Sequence, residues 1–226
     1  MKIVDMKIHV LMLKPNREWI FVQLATDEGI TGVGECSDYA STAHLVAGLN
    51  AIKPFIVGMD ARNIEDVWQK LFHGYSDLNG RGYVSHLISA IDIALWDIKG
   101  KALGVPIYQL LGGKSKDKIR MYASSLRRDL TPLEEARRAS SLVEEGYTAY
   151  KLHSALPGAI DHPSDQTIAT VTEVRKAVGP DIEILVDVNG AFSAHHAIEI
   201  GKALENLGVF HFEEPRPHYD LEGLAS

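Results

Sequence analysis

The chain has 226 residues, of which 46% are hydrophobic and 23% charged, and this composition is typical of a globular protein with a substantial core. Its formal net charge of −7, with lysines and arginines scattered along the chain, opposes binding to nucleic acid or to an anionic membrane. The single cysteine, Cys36, excludes an internal disulfide framework, and the residues after Met1 have no signal-peptide pattern. We therefore expect a cytoplasmic protein that binds a small molecule.

The first part of the chain predicts an antiparallel sheet followed by helices. Residues 2–13 and 19–26 are rich in β-forming apolar residues, and a third short run, 31–36, follows the turn Asp27-Glu28-Gly29. Farther along, apolar residues at helical spacing mark one face of a helix: Ile88, Ile91, Leu95 and Ile98. This helix should end near Gly104 and Pro106. Residues 1–115 are thus predicted to form an α+β domain.

From residue 116 onward, predicted strands alternate with predicted helices. The strands cover 118–126, 149–155, 183–190 and 209–215. Thr131, Pro132 and Glu134 form a capping-box pattern for the first helix, and Ser193 can cap the third. Successive β-α units favour parallel strands with right-handed crossovers. Residues 116–226 are therefore predicted to form a parallel α/β unit with four strands.

Polar side chains at the ends of these strands can be assigned to one face, because side chains alternate along a strand. In 183–190, Ile184 and Val186 should face the helices, which turns Asp187 and Asn189 inward. The same test turns four further polar side chains inward: Ser124, Lys151, His153 and Glu213.

The last predicted strand carries two adjacent glutamates, and only Glu213 is assigned to the inward face. Phe210 and Phe212 are expected to pack against the helices, and Glu214 lies on their side of the strand. Glu214 is therefore not expected to be a ligand.

Asp187 and Glu213, together with Lys151 and His153, are predicted to meet where parallel α/β proteins build their sites. Because unpaired buried charges are costly, a bound metal ion would resolve the conflict between the two carboxylates. Oxygen ligands suit a hard cation such as Mg²⁺, and the lysine and histidine would then be free for proton transfer. The alternative is a structural ion-pair layer without catalytic function.

Three stretches carry a resemblance to a known family. They are SAIDIALWDIKGKALGVPIYQLLGG (89–113), YKLH (150–153), and VDVN (186–189) followed by FEEP (212–215). The sequence resembles the enolase superfamily, in the branch of mandelate racemase and muconate-lactonizing enzyme, along essentially the whole chain. The resemblance implies that residues 1–115 are an α+β capping domain and that residues 116–226 are the first half of an incomplete TIM-type (β/α) barrel, with about four of its eight units present.

The resemblance also implies an activity: Mg²⁺-dependent abstraction of the proton next to a carboxylate, with stabilisation of the resulting enediolate. Asp187 and Glu213 take the positions of metal ligands, Lys151 assists at the substrate carboxylate, and His153 stands where the family has its second lysine. Two residues match substrate-contacting positions: Ser124 and Asn189.

The histidine at position 153 departs from the family's Lys-x-Lys pattern. Muconate-lactonizing and dipeptide-epimerising relatives generally need the second lysine, so the substitution favours a mandelate racemase-like or acid-sugar dehydratase type of site. We expect an acid-sugar dehydratase, with a sugar acid as substrate. A racemase, epimerase or cycloisomerase is the alternative reaction. His153 could instead be a buried residue that forms hydrogen bonds and does no chemistry.

The length of the chain carries a further expectation. A complete barrel takes roughly 250 residues, so a third metal carboxylate and later catalytic residues are expected outside this chain. A half barrel would expose strand edges and an apolar flank, which predicts self-association as a homo-oligomer. Because those residues are expected outside this chain, the second alternative to a dehydratase is a non-catalytic fragment.

Overall fold

The computed structural model describes residues 1–14, 17–37, 42–75, 82–156 and 160–225. The chain divides into two compact units, Met1–Asp117 and Lys118–Ser226. The predicted boundary, between residues 115 and 116, lies two residues earlier. The first unit contains an antiparallel sheet with helices, and the second contains a parallel sheet whose strands alternate with helices, which confirms the predicted fold class. Within the described ranges, no helix combines the length and apolar character that a membrane crossing requires.

The first unit opens with a three-stranded meander in the order β1-β2-β3. Its strands are β1 (Ile3–Lys14), β2 (Arg17–Thr26) and β3 (Thr31–Glu35). The helices that follow are α1 (Thr42–Ile56), α2 (Ile64–Gly74), α3 (Tyr83–Leu103) and α4 (Ile107–Leu110). The predicted apolar stripe lies on α3, where its residues are at most 4% exposed. Gly104 ends this helix, as predicted, in the left-handed conformation.

Strand β3 and helix α3 approach each other closely through small residues. A Cβ atom added to Gly34 would lie 1.9 Å from the carbonyl oxygen of Ala90, and one added to Gly32 would lie 2.0 Å from that of Ala94. Both alanines are fully buried. The two glycines therefore let the strand backbone pack directly against the helix backbone.

The second unit is a sequence of strands each followed by a helix, and its sheet is parallel in the order β4-β5-β6-β7. Its strands are β4 (Ala123–Ser125), β5 (Ala149–His153), β6 (Glu183–Asp187) and β7 (His211–Glu213). Its helices are α5 (Pro132–Glu144), α6 (Thr167–Val178), α7 (Ala194–Asn206) and α8 (Leu221–Ala225).

Side-chain caps fix where two of these helices begin. Thr131 and Glu134 form the predicted capping box: the Thr131 amide donates to the Glu134 carboxylate at 2.8 Å, and the Thr131 hydroxyl accepts from the Glu134 amide at 3.4 Å. The Ser193 hydroxyl accepts from the amide of His196 at 3.4 Å. Each cap satisfies an amide that the first helical turn leaves without a partner, and this stabilises the starts of helices α5 and α7 directly after Thr131 and Ser193.

All four strands of the parallel sheet are shorter than predicted, most of all the edge strands β4 and β7, and one packing expectation was wrong. Phe212 lies within β7 and packs against the buried core of this unit, as expected. Phe210 precedes the first paired residue of β7 and is 67% exposed. The Phe210 amide still donates to the Ile184 carbonyl oxygen of β6 at 2.8 Å, so Phe210 lies at the start of β7 on the edge of the sheet, and the described residues leave its ring uncovered.

Candidate active site

The parallel sheet ends in a compact cluster of four charged or titratable residues. The Lys151 Nζ atom lies 2.6 Å from the Glu213 Oε2 atom and 3.0 Å from the Asp187 Oδ2 atom. The His153 Nε2 atom lies 3.1 Å from the same Asp187 oxygen. The structure therefore brings together the two predicted metal ligands and the two predicted catalytic residues.

Strand register explains this convergence. His153 pairs with Asp187, and Asp187 pairs with Glu213, so the three side chains leave adjacent strands on the same face. On the opposite face of β5, Tyr150 and Leu152 are buried in the core that the helices cover. Alternation along the strands therefore separates the polar cluster from the apolar core.

Burial makes the contacts in this cluster strong. Lys151 is 8% exposed and Asp187 is 4% exposed. Although burial alone would raise the pKa of Asp187, the hydrogen bonds from Lys151 and from the Asn189 amide lower it below the usual value. Burial opposes the charged form of Lys151 as well, but the bonds to Glu213 and Asp187 raise its pKa. The Lys151 ammonium group and the Asp187 carboxylate therefore stabilise each other's charged form.

The imidazole ring of His153 is held from its other side. Its Nδ1 atom lies 2.7 Å from the carbonyl oxygen of Ser125, which is fully buried. Because a carbonyl oxygen only accepts hydrogen bonds, Nδ1 carries the proton in this contact. Nε2 is therefore the ring nitrogen that faces the cluster and is placed for proton transfer.

Asp187 and Glu213 have the donor chemistry of a site for a hard cation. Both carboxylates lie within 3.0 Å of one positive group, the Lys151 ammonium. Among the residues that the structure describes, no group of three or more histidine, cysteine, aspartate or glutamate side chains is placed to hold a metal ion. These two residues fit Mg²⁺ in charge and ligand type, and the rest of an octahedral shell would come from other groups or water.

Ser124 and Asn189, the predicted substrate contacts, lie in different settings. Ser124 pairs with Lys151 in the sheet, shares its face and is exposed. Asn189 follows the end of β6 in the left-handed conformation, with φ of 47°. Its side-chain oxygen accepts from Arg128, and its side-chain nitrogen donates to Glu214 at 3.2 Å. Both residues are exposed. The Asn189 side chain is held by two side-chain contacts, and among the described residues none of this kind is found for Ser124.

Glu214 does not lie on the helix side of the sheet, and that prediction was wrong. Strand β7 ends at Glu213, and Glu214 takes the left-handed conformation with φ of 46°. Alternation applies only within a paired strand, so it does not determine the direction of this side chain. The Glu214 carboxylate is directed instead toward Asn189.

Sequence reasoning missed Arg128, which lies in the connection after β4. It contacts Asn189 and the Ala155 carbonyl oxygen, and it lines a cavity of about 230 Å³ beside His153. Other residues that line this cavity include Thr131, Ser154 and Gln166. The only sequence signal for Arg128 was its place directly after a strand of the predicted barrel.

Behind the cluster, the Tyr150 hydroxyl donates to the Glu135 Oε1 atom at 2.7 Å, and both residues are buried. Burial, then the contact with Glu135, raises the pKa of Tyr150. A raised pKa in the folded state stabilises the protein below the unfolded value, near pH 10, and this contribution is lost as pH rises above it.

We therefore expect the stability advantage of the wild type over Tyr150→Phe to shrink by about 1.4 kcal/mol between pH 9 and pH 11. Urea unfolding of both proteins at the two pH values measures it. An equal advantage at both would contradict the expectation.

The sequence of the chain matches the descriptions of two known domain families. Residues 7–112 match the family described as "Mandelate racemase / muconate lactonizing enzyme, N-terminal domain", and residues 134–226 match "Enolase C-terminal domain-like". The chain is 38% identical to a D-galactonate dehydratase of Pectobacterium atrosepticum, with 92% of this chain and 54% of the relative covered. It is 33% identical to a D-galactarolactone cycloisomerase of Agrobacterium fabrum, with 93% and 54% covered.

A solved structure shows the same likeness. The mandelate racemase/muconate lactonizing protein of Paracoccus denitrificans, solved in complex with magnesium, superimposes with a TM-score of 0.90 at 30% identity. The alignment covers 98% of this chain and 61% of that one. The chain thus spans between about half and three fifths of the length of these relatives. On both its sequence matches and its fold, the chain belongs to the mandelate racemase and muconate lactonizing enzyme branch of the enolase superfamily.

Proposed function

We propose that the full-length protein is a Mg²⁺-dependent acid-sugar dehydratase. The observation that carries this proposal is the convergence of a lysine and a histidine on two carboxylates at the ends of adjacent strands. Abstraction of a proton next to a carboxylate requires a base and a group that offsets the charge developing on the substrate. The cluster contains candidates for both.

Each residue of the cluster has a proposed role. Asp187 and Glu213 would hold Mg²⁺, which would offset negative charge at the substrate carboxylate. Lys151 directs its ammonium group to that carboxylate and adds a second positive charge. His153 accepts the α-proton at Nε2, while the Ser125 carbonyl bonded to Nδ1 keeps the ring in place. Ser124 is the proposed substrate contact on the exposed part of this face, and Asn189 is a second.

The relatives favour a sugar acid as the substrate. One is a D-galactonate dehydratase, which supports dehydration as the reaction. Another is a D-galactarolactone cycloisomerase, so cycloisomerisation is the alternative that a specific observation favours. Both reactions use the same class of substrate, and they differ in the product formed.

Self-association of the protein as a homo-oligomer stays a prediction.

Proton exchange tests the proposed base directly. In deuterated water with Mg²⁺, the full-length protein should remove the α-proton of D-galactonate and release a dehydrated product, which proton NMR follows. Because a positioned general base contributes about 10² to 10⁴ in rate, His153→Asn should lower α-proton loss by at least about a hundredfold. D-galactarolactone in a parallel assay distinguishes cycloisomerisation from dehydration.

His195→Asn is the matched control, because His195 lies on the exposed surface of α7. It should react at the wild-type rate. Wild-type exchange in His153→Asn would show that His153 only forms hydrogen bonds in the interior. A full-length protein that leaves both compounds unchanged would contradict the proposed function as a whole.

A further inference from the structure

The chain turns in the same unusual way after each proposed metal ligand. Asn189, two residues after Asp187, has φ of 47°, and Glu214, directly after Glu213, has φ of 46°. The left-handed conformation costs roughly 1–2 kcal/mol for a residue with a side chain, although asparagine tolerates it better than most. Such residues persist where surrounding contacts hold them. These two turns therefore need an explanation from their contacts.

A chain of side-chain contacts that starts at one arginine connects the two turns. Arg128 donates from Nη2 to the Asn189 side-chain oxygen and from Nε to the Ala155 carbonyl oxygen at 3.1 Å. Asn189 in turn donates from its side-chain nitrogen to Glu214 at 3.2 Å. We call Arg128, Asn189 and Glu214 the rim clasp. With the Ala155 carbonyl, it links the segments that follow all four strands of the parallel sheet, β4 to β7.

The rim clasp reaches the candidate site through one backbone group. The Asn189 amide donates to the Asp187 Oδ1 atom at 2.9 Å, whereas the Oδ2 atom faces Lys151 and His153. The left-handed turn is held a second time, because the Gly190 amide donates to the Glu214 carbonyl oxygen at 2.7 Å. The orientation of the Asp187 carboxylate thus depends on where Asn189 is held.

We propose that Arg128 is a positioning residue for the candidate metal site, which acts through Asn189 on the Asp187 carboxylate. This inference rests on the proposed function, since it takes Asp187 as a ligand. Residues that orient a metal ligand typically contribute 10- to 100-fold to metal affinity. Arg128 therefore increases affinity for a divalent cation, although its own charge is positive.

The direction in which cation affinity changes on loss of Arg128 distinguishes a positioning effect from a charge effect. Removal of a nearby positive charge reduces repulsion, so a pure charge effect would tighten cation binding. Loss of positioning would weaken it. Arg127 is the matched control: it is the neighbouring residue and lines the same cavity, but its guanidinium pairs with Asp129 in the same connection, at 2.6 and 2.7 Å. Arg127→Ala removes the same charge and leaves the rim clasp intact.

The first experiment titrates the full-length protein with Mn²⁺ and measures bound ion by electron paramagnetic resonance. We expect Arg128→Ala to bind Mn²⁺ about tenfold more weakly than the wild type, and Arg127→Ala to bind as tightly or more tightly. Arg128→Lys keeps the charge but loses the planar fork, so it should also bind more weakly. Affinity that is unchanged or higher in Arg128→Ala overturns the inference.

The second experiment needs no metal. Amide hydrogen exchange should speed up at Asn189 and Gly190 in Arg128→Ala, while amides inside α5 keep their protection. Unchanged exchange at Asn189 overturns the inference whatever the metal result. If the wild type does not bind Mn²⁺ at all, the metal assignment in the proposed function fails, and amide exchange still decides whether Arg128 holds the turn.

Discussion

Asp187→Asn is expected to lower the rate of Mg²⁺-dependent dehydration of a sugar acid by the full-length protein about a thousandfold or more. The substitution removes the negative charge of a proposed ligand, and with it the ion pair between Asp187 and Lys151. Metal-ion catalysis is worth several kcal/mol, and each 1.36 kcal/mol corresponds to tenfold in rate. Initial rates with D-galactonate at saturating Mg²⁺ measure the effect.

Asp181→Asn provides the control for this experiment. Asp181 is exposed and lies just before β6, outside the cluster, so the same chemical change should leave the rate intact. Circular dichroism of both variants separates lost catalysis from lost folding. Wild-type turnover by Asp187→Asn would show that Asp187 belongs to a structural ion-pair network, which was the alternative that the sequence left open.

Gly34→Ala is expected to destabilise the first unit by about 4 kcal/mol or more, which is outside the usual range for a single substitution. The added Cβ atom would lie 1.9 Å from the Ala90 carbonyl oxygen, an atom of the helix backbone that no side-chain rotation can move away. The contact can be relieved only if β3 and α3 separate, and this would open the buried core between them. Urea unfolding monitored by circular dichroism measures the loss.

Gly74→Ala is the matched control. Gly74 is the last residue of α2, and a Cβ atom added there would meet no atom within 4 Å. Alanine restricts the unfolded chain more than glycine does, so this variant should be as stable as the wild type or more stable by up to about 1 kcal/mol. Similar stabilities of Gly34→Ala and Gly74→Ala would contradict the close approach of β3 and α3.

The sequence by itself determined much of the fold. Thr131 and Ser193 marked the starts of helices α5 and α7, and the stripe from Ile88 to Ile98 identified the buried face of α3. Alternation in β5 and β6 separated Lys151 and Asp187 from the apolar residues beside them. These features are local: a cap involves neighbours within one turn, and alternation holds wherever a strand is paired.

The tertiary structure alone decided what lies beyond the strand ends. Glu214 departed from prediction because it lies outside the paired part of β7, where alternation no longer applies. Phe210 is bonded to β6 through its amide, but it lies on an edge strand and stays exposed. Arg128 meets Asn189 across 61 positions of the chain, and Lys151 meets Glu213 across 62. Contacts of this kind depend on strand order, register and the direction of each turn. A sequence read residue by residue indicates which groups are available for a site, and the fold determines which of them meet.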